Sequence, residues 1–277
     1  MLLITAIIWG FAFVAQSVGG SSVGAFTFNG ARYLLGSLVL IPLILVFKKT
    51  GKIRKVFSHA NITGGIACGL CLFLASSFQQ FGVLMSTVSK ASFITALYVV
   101  LVPVLRMFGG KKTGIRLWIA VVISVAGLYL LCFSNGIEAV GTGDLVLLAG
   151  AALFSGHILT IDHFSPVTDG IVVSSIQFFV AGVFSCICML VVEEPRAEAL
   201  LNAWVPIVYA GAMSCGVAYT LQVVFQKDVD PTAASLIMSL ESVFGAVGGW
   251  LILGERLAPR ELAGCALMMA AILMSQF

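Results

Sequence analysis

Residues 90–103 read KASFITALYVVLVP, and residues 233–246 read AASLIMSLESVFGA. The two strings share Ala91/Ala234, Ser92/Ser235, Ile94/Ile237, Leu97/Leu240 and Val100/Val243, all at one offset, 234 − 91 = 143. The match runs back along the chain, where Gln79 meets Gln222, Ala75 meets Ala218 and Ser77 meets Thr220. With one inserted residue, Gly110-Lys111-Lys112 meets Gly254-Glu255-Arg256. Self-similarity at a fixed period marks an internal repeat. It divides the chain into residues 1–135 and 141–277. The copies differ where chemistry matters: Lys90 is matched by Ala233, and Tyr98 by Glu241.

Composition names the solvent. The 277 residues are 60% hydrophobic and only 10% charged, whereas a soluble domain carries about 25% charged residues. So few charges cannot cover a water-facing surface, and the bilayer takes its place. The net charge of +3 includes no basic patch for nucleic acid, and no soluble domain or low-complexity tail interrupts the pattern. The first apolar run lacks the basic n-region of a signal peptide and reads as a retained helix. Seven cysteines, at 68, 71, 132, 186, 188, 215 and 265, all sit in apolar runs. Cys68 and Cys71 have C-x-x-C spacing, but no second Cys/His pair completes a metal site. Small, polarizable packing residues are the better reading. No metal and no cofactor are expected.

A spanning helix takes about 20 mostly apolar residues. Ten stretches fit: 2–18, 26–47, 60–84, 86–106, 115–133, 143–161, 170–192, 203–225, 232–253 and 258–276. Turn and charge signals separate them: GGSSVG at 19–24, KKTGKIRK at 48–55, SNGIEAVGTG at 134–143, EEPRAE at 193–198, DVDP at 228–231 and GERLAP at 254–259. Spans three and four must join near Met85 through a very tight turn. Only helices and closed barrels satisfy their backbone in lipid, and these runs are too continuously apolar for barrel strands. The chain therefore reads as an all-α integral membrane protein. Five spans per half is an odd number, so the second half enters the membrane inverted. The expected fold is ten transmembrane helices, arranged as two inverted-topology five-helix repeats around a central cavity. That architecture is common in secondary transporters. Gly65/Gly69 and Gly245/Gly249 form GxxxG pairs suited to close helix contact.

Orientation follows from Lys and Arg in short loops. Lys48, Lys49, Lys52, Arg54 and Lys55 follow span two, and Arg106, Lys111, Lys112 and Arg116 follow span four. Placing these nine inside, with Lys227, leaves Arg196, Arg256 and Arg260 outside. Both termini are then cytoplasmic in a cell inner (plasma) membrane.

Several of these residues resemble a known family. They are Trp9-Gly10, Arg32, the A-S-x-I-x-x-L repeat heading spans four and nine, the YVVLVP stretch Tyr98–Pro103, and Leu253-Gly254-Glu255-Arg256 before the last span. Together they look like the EamA-type members of the drug/metabolite transporter superfamily, over essentially the whole chain. The resemblance implies a ten-helix bundle, both termini cytoplasmic, a central cavity, and export or uptake of a small organic metabolite. The superfamily handles amino acids, nucleotide sugars, phosphorylated sugars and drugs. Two departures stand out: Gly110-Lys111-Lys112 replaces a frequent Gly-Glu, and Lys90 is not a general feature.

Four ionisable groups lie inside the spans: Arg32, Lys90, His157 and Glu241. A charge at the bilayer centre costs about 2.5–3.5 kcal/mol on insertion scales, so each needs a partner, water or a route to the interface. Glu241 is deepest, about 15 Å along span nine, and reads as a cavity carboxylate for a proton or a cationic group, or as a structural hydrogen bonder. Lys90 either snorkels to the headgroups, binds a substrate anion, or pairs with Glu241. Arg32 offers a planar fork for a carboxylate or phosphate, or bonds helix-end carbonyls. His157 either titrates with a proton gradient or packs with a hydrogen bond. Gln79 and Gln222 hold equivalent positions near the expected axis, where they either face a common space or bond helix to helix. Trp9, Phe13, Tyr98, Tyr219 and Ser239 complete the candidate lining.

A zwitterion such as an amino acid suits a site with both signs, and an organic acid is the neighbouring choice. The expected partners are that small molecule, the lipid bilayer and protons, with the chain a monomer or homodimer. An intramembrane enzyme would need a metal cluster or nucleophile–base pair. The three histidines, 59, 157 and 163, supply neither. A channel would show a selectivity filter or charged ring, and neither is present. No G-x-x-x-x-G-K-[ST] loop binds ATP, so uphill transport would draw on a gradient or a partner.

Overall fold

A computed structural model of the chain describes residues 1–53, 55–110, 113–132, 141–254 and 258–276. Arg54, Lys111, Lys112, Glu255 and Arg256, used above for orientation and repeat matching, lie outside the described residues.

The apolar runs fold as helices, and the polar residues at their edges close the ends. α1 (Leu2–Val23) and α2 (Ala25–Lys49) meet at Gly24, whose φ of 95° suits glycine. α3 (His59–Leu84) starts where the Ser58 hydroxyl accepts the Asn61 N–H at 3.1 Å. The tight join near Met85 is residues 85–87: α3 ends at Leu84, and Thr87 caps α4 (Val88–Ala96) by accepting the Lys90 N–H at 3.3 Å. α5 (Tyr98–Phe108) and α6 (Ile115–Cys132) complete the first half. α7 (Thr142–Phe164) and α8 (Gly170–Val192) follow, the latter capped by Asp169. Next come the short α9 (Ala197–Asn202) and a span made of α10 (Trp204–Val208), a π-helical segment Tyr209–Tyr219, and α11 (Thr220–Gln226). α12 (Pro231–Met238), α13 (Glu241–Leu253) and α14 (Pro259–Gln276) end the chain. Pro231 opens α12 where a missing N–H costs nothing, and Gly254, with φ 72°, closes α13 in the left-handed conformation.

Among the described residues no strand forms, and eight helical stretches are long and apolar enough to cross a membrane. They correspond to expected spans one to four and six to nine. Expected spans five and ten carry the shorter apolar runs Ile115–Gly127 and Leu262–Ala271. The protein is an all-helical, multi-pass membrane protein. Its polarity is inverted relative to a soluble fold: Leu38, Leu190, Val191 and Leu251 face outward, while Arg32, Gln80, His157 and Glu241 are buried. Lipid is the solvent that favours both placements.

Two features position the site. The fourth span breaks at Leu97, where the N–H turns back to the Ile94 carbonyl at 3.2 Å. The ninth span breaks at Ser239–Leu240, where the Leu240 N–H reaches the Ile237 carbonyl at 3.3 Å. These tightened turns end one helix and start another, so Tyr98 and Glu241 each stand at the N-terminus of a new helix deep in the bundle. Close packing then fixes the walls. A Cβ at Gly65 would fall 2.5 Å from Ile176 Cγ2, and one at Gly69 would fall 2.9 Å from the Gln177 carbonyl. The first GxxxG pair therefore seats α3 on α8. A Cβ at Gly245 would meet Ser92 Oγ at 3.3 Å, setting α13 beside α4.

Candidate functional site

A cavity lies at the level of the two helix breaks. α1 contributes Trp9, Phe13 and Gln16, α2 contributes Arg32, and α3 contributes Gln79. Thr95 and Tyr98 flank the first break, Glu241 follows the second, and Phe154, Ser214 and Tyr219 close the remaining wall. The volume open to water centres is about 30 Å³. A single water needs roughly 10–15 Å³ by that measure, so the cavity as it stands has room for water-sized occupants only.

Five buried polar atoms on these lining residues have no well-formed hydrogen bond: Trp9 Nε1, Gln16 Oε1, Arg32 Nε, Tyr98 Oη and Glu241 Oε1. Each such atom costs about 1–3 kcal/mol unless something satisfies it. Here three donors or donor-capable groups and two acceptors share one enclosure. The Tyr98 phenol and the Glu241 carboxylate also lie close enough to interact electrostatically.

The charges are arranged with care. Arg32 is 2% exposed. Its Nη2 donates to Tyr33 Oη at 3.1 Å, and its guanidinium carbon lies 4.7 Å from the Tyr33 ring centre and 5.6 Å from that of Phe28. Cation–π contact and one hydrogen bond hold the group, and Nε has no hydrogen-bond partner. Glu241 occupies the first turn of α13, where the partial positive charge of the helix end favours a carboxylate. The ion pairs Lys90–Asp144 and Arg106–Asp230 use neither Arg32 nor Glu241. Trp9 and Tyr219 pack with ring centres 4.5 Å apart, and Phe178 approaches Tyr219 edge-on at 5.8 Å. Trp9, Phe154 and Tyr219 give the cavity an aromatic wall, and Phe178 backs Tyr219 from outside it.

Of the residues singled out from sequence, the structure brings Trp9, Phe13, Arg32, Gln79, Tyr98, Tyr219 and Glu241 to this cavity. Four others go elsewhere. Lys90 Nζ pairs with Asp144 at 2.9 Å and not with Glu241, because α4 packs beside the first turn of α7. Gln222 Nε2 donates to Gln226 Oε1 at 3.0 Å, and Gln226 in turn donates to the Ile158 carbonyl at 2.7 Å, tying α11 to α7. Ser239 Oγ donates to the Leu236 carbonyl at 2.8 Å and closes the break in the ninth span. His157 Nε2 bonds Gln177 Oε1 at 3.1 Å behind Tyr219, one layer out from the cavity. Gln16, Thr95, Phe154 and Ser214 line the cavity without having been singled out. For Gln16 the signal was present, since it is a polar residue inside an apolar span.

No group of three or more His, Cys, Asp and Glu side chains among the described residues could hold a metal ion. Cys68, Cys71, Cys186, Cys188 and Cys215 are free thiols. Cys68 is fully buried, and Cys71 Sγ lies 3.7 Å from Thr160 Oγ1.

The model of the EamA-like transporter family matches residues 1–133 and again residues 141–277. An uncharacterized transporter of Archaeoglobus fulgidus is 25% identical over 273 residues, covering 98% of this chain and 83% of that protein. The uncharacterized transporter YoaV of Bacillus subtilis is 21% identical, covering 100% of this chain and 95% of its own. The uncharacterized inner membrane transporter YedA of Escherichia coli K12 is 23% identical, covering 97% and 87%. A solved crystal structure superposes with a TM-score of 0.81 at 16% identity, over 99% of this chain and 94% of that one, a likeness of fold.

Proposed function

We propose, from the premise that this chain belongs to the EamA-like transporter family, that it is a secondary transporter moving a small organic metabolite across the inner membrane by alternating access. The favoured cargo carries a carboxylate and an ammonium, as an amino acid or related zwitterion does; a simple organic acid comes next. The observation that carries this reading is the buried cavity with Arg32 and Glu241 in its wall, neither in an ion pair with another side chain among the described residues. Arg32 Nε would receive the carboxylate. Glu241 would receive the ammonium or, in the empty carrier, a proton. Loading one in place of the other would couple cargo to the proton gradient. The aromatic wall of Trp9, Phe154 and Tyr219 would take the apolar part of the cargo.

The scaffold of this reading has ten spans. α6 and α14 are 18 residues each, about 27 Å long at 1.5 Å per residue, close to the ~30 Å of a hydrocarbon core. Several correspondences support two inverted repeats of five. The breaks at Leu97 and Leu240, and the N-caps Thr87 and Asp230, are each 143 residues apart. α2 packs on its mate α8 and α6 on its mate α14, as elements flanking a pseudo-two-fold axis do. The contact of α3 with α7 is answered by that of the π-helical segment with α1. Halves so related can exchange packings, which turns one opening into the other. The lysine and arginine bias of the loops supports both termini in the cytoplasm.

The test is uptake into proteoliposomes. Radiolabelled amino acids, small carboxylates and organic cations are offered at two imposed pH gradients, beside Glu241→Gln and Arg32→Ala. Saturable uptake of a zwitterion or organic acid, lost in Arg32→Ala, is the expected result. Uptake of cations alone, or uptake indifferent to both substitutions, would remove the site assignment.

A further inference from the structure

Two ion pairs, Lys90–Asp144 and Arg106–Asp230, lie at the ends of the broken fourth span. Lys90 lies in the first turn of α4 and Arg106 in the last turn of α5. Tyr98, at cavity level, is eight residues from each, 98 − 90 and 106 − 98, or about 12 Å along the axis on either side. Each cation belongs to the first half of the chain and each acid, Asp144 or Asp230, to the second. We propose that Lys90–Asp144 and Arg106–Asp230 are the latches of the two mouths of the cavity, released in alternation during transport. This inference rests on the transporter reading given above.

The acids are built as fixed posts. Asp144 Oδ2 also accepts the Gly141 N–H at 2.8 Å, and Asp230 Oδ1 accepts the Thr232 N–H at 2.9 Å. Each caps the helix it stands on, so a moving first-half span must leave its acid behind. α4 packs on α7, and α5 packs on α12. Separating either pair of helices therefore breaks the latch between them and opens that mouth. The two mouths are unequal. The Lys90 and Asp144 side chains are 17% and 11% exposed, and those of Arg106 and Asp230 are 12% and 39% exposed, so the difference lies in the acids. A crevice of about 380 Å³, lined by Arg106, Leu105, Leu159 and His163 among others, already lies at the Arg106 mouth. Water reaches Asp230 more readily than Asp144, and the crevice adjoins Arg106, so the Arg106 mouth is the more readily opened.

The test reads accessibility and needs no identified cargo. Ser214, in the cavity wall and 2% exposed, is replaced by cysteine. Its reaction with a charged, membrane-impermeant methanethiosulfonate is followed in right-side-out and inside-out vesicles, relative to the same protein without the replacement. Lys90→Gln is expected to speed labelling about tenfold or more from one face only, and Arg106→Gln from the opposite face. The charge-exchanged double variant Lys90→Asp with Asp144→Lys should return the rate toward that of the parent. Asp144→Asn and Asp230→Asn break the same bonds from the other side, should either cation variant fail to fold. Equal acceleration from both faces marks general loosening and overturns the latches, as does acceleration by both variants from the same face. Slow labelling from each face in the parent, left unchanged by every latch variant, overturns the latches and leaves the transporter reading standing. Labelling from one face alone in every variant overturns both.

Discussion

Gly10 gives the most direct measure of how tightly the cavity wall is set. A methyl at Gly10 would lie 2.4 Å from Phe244 Cβ and 2.7 Å from both the Phe244 carbonyl carbon and Gly245 N. Carbon atoms rest at about 3.5–4.0 Å, so α1 and α13 would have to part by roughly 1 Å at this crossing. Two of the three atoms are backbone and cannot rotate aside. Overpacking of this kind costs about 1–3 kcal/mol. The strain would also reach the site, because Trp9 precedes Gly10 and Glu241 lies one turn before Phe244, both in the cavity wall. A misplacement near 1 Å can lower turnover about 100-fold. Gly10→Ala is therefore expected to lose about 1–3 kcal/mol in SDS unfolding from mixed micelles, and to lose uptake disproportionately. Gly156→Ala is the matched control. Its Cβ would meet nothing within 4 Å, so the same methyl should be neutral or gain up to about 1 kcal/mol through helix propensity. A Gly10→Ala protein as stable as its parent, or a Gly156→Ala protein equally damaged, would refute this account of the α1–α13 contact.

Three further outcomes are expected. Arg32→Lys keeps the charge and loses the planar fork; KM for a carboxylate-bearing cargo should rise about 10- to 100-fold with kcat less affected, and an unchanged KM would remove Arg32 from the carboxylate. Glu241→Gln should transport with a flat pH profile, and retention of the parent profile would place proton coupling elsewhere. Glu193 accepts the Phe26 and Thr27 N–H groups at 2.9 and 2.8 Å and the Thr27 hydroxyl at 2.7 Å. Glu193→Gln should cost about 1–2 kcal/mol and speed hydrogen exchange at Phe26 and Thr27, and exchange unaltered there would show that the cap does not hold α2.

The helices could be read from the chain because lipid leaves the backbone few choices: an apolar run of sufficient length must be a helix, and a loop must be polar. Local turn chemistry followed, as at residues 85–87. Two things could not be read that way. One is the course of helices within a span. The breaks at Leu97 and Ser239 carry no proline or glycine, and the π-helical stretch Tyr209–Tyr219 packs against α1 and α2, residues far away in the chain. The other is the choice of partner over long distance. Lys90 and Asp144 are 54 residues apart, 144 − 90, and only the packing of α4 beside α7 makes them neighbours. The depth of Glu241 was a property of sequence position, whereas the bond between Gln222 and Gln226 depended on which face α11 turns inward. Equivalence in the repeat placed Gln79 and Gln222 alike along the axis, but only Gln79 reaches the cavity.

That last contrast bears on why a repeated scaffold carries unlike charges. At the offset of 143, Glu241 is matched by Tyr98, Lys90 by Ala233, Asp230 by Thr87 and Arg106 by Gly249. Every charged residue in the two broken spans thus has an uncharged mate, while the breaks and N-caps themselves are kept in both copies. In the proposed cycle these two layers do separate work. The shared backbone devices make the halves alike enough for each to adopt the other's packing, so that the two open states are close in energy. The unshared charges make the states differ. A symmetric set would give two equal latches and a cavity with one chemistry on both sides, and neither a preferred resting mouth nor an oriented cargo would follow. Arg32 and Glu241 within, with Lys90–Asp144 and Arg106–Asp230 at the proposed mouths, would give the site a direction. A difference of about 1.4 kcal/mol between the latches is enough to bias the resting populations tenfold. The Arg106 mouth, with its more exposed acid and its existing crevice, is where that bias should point.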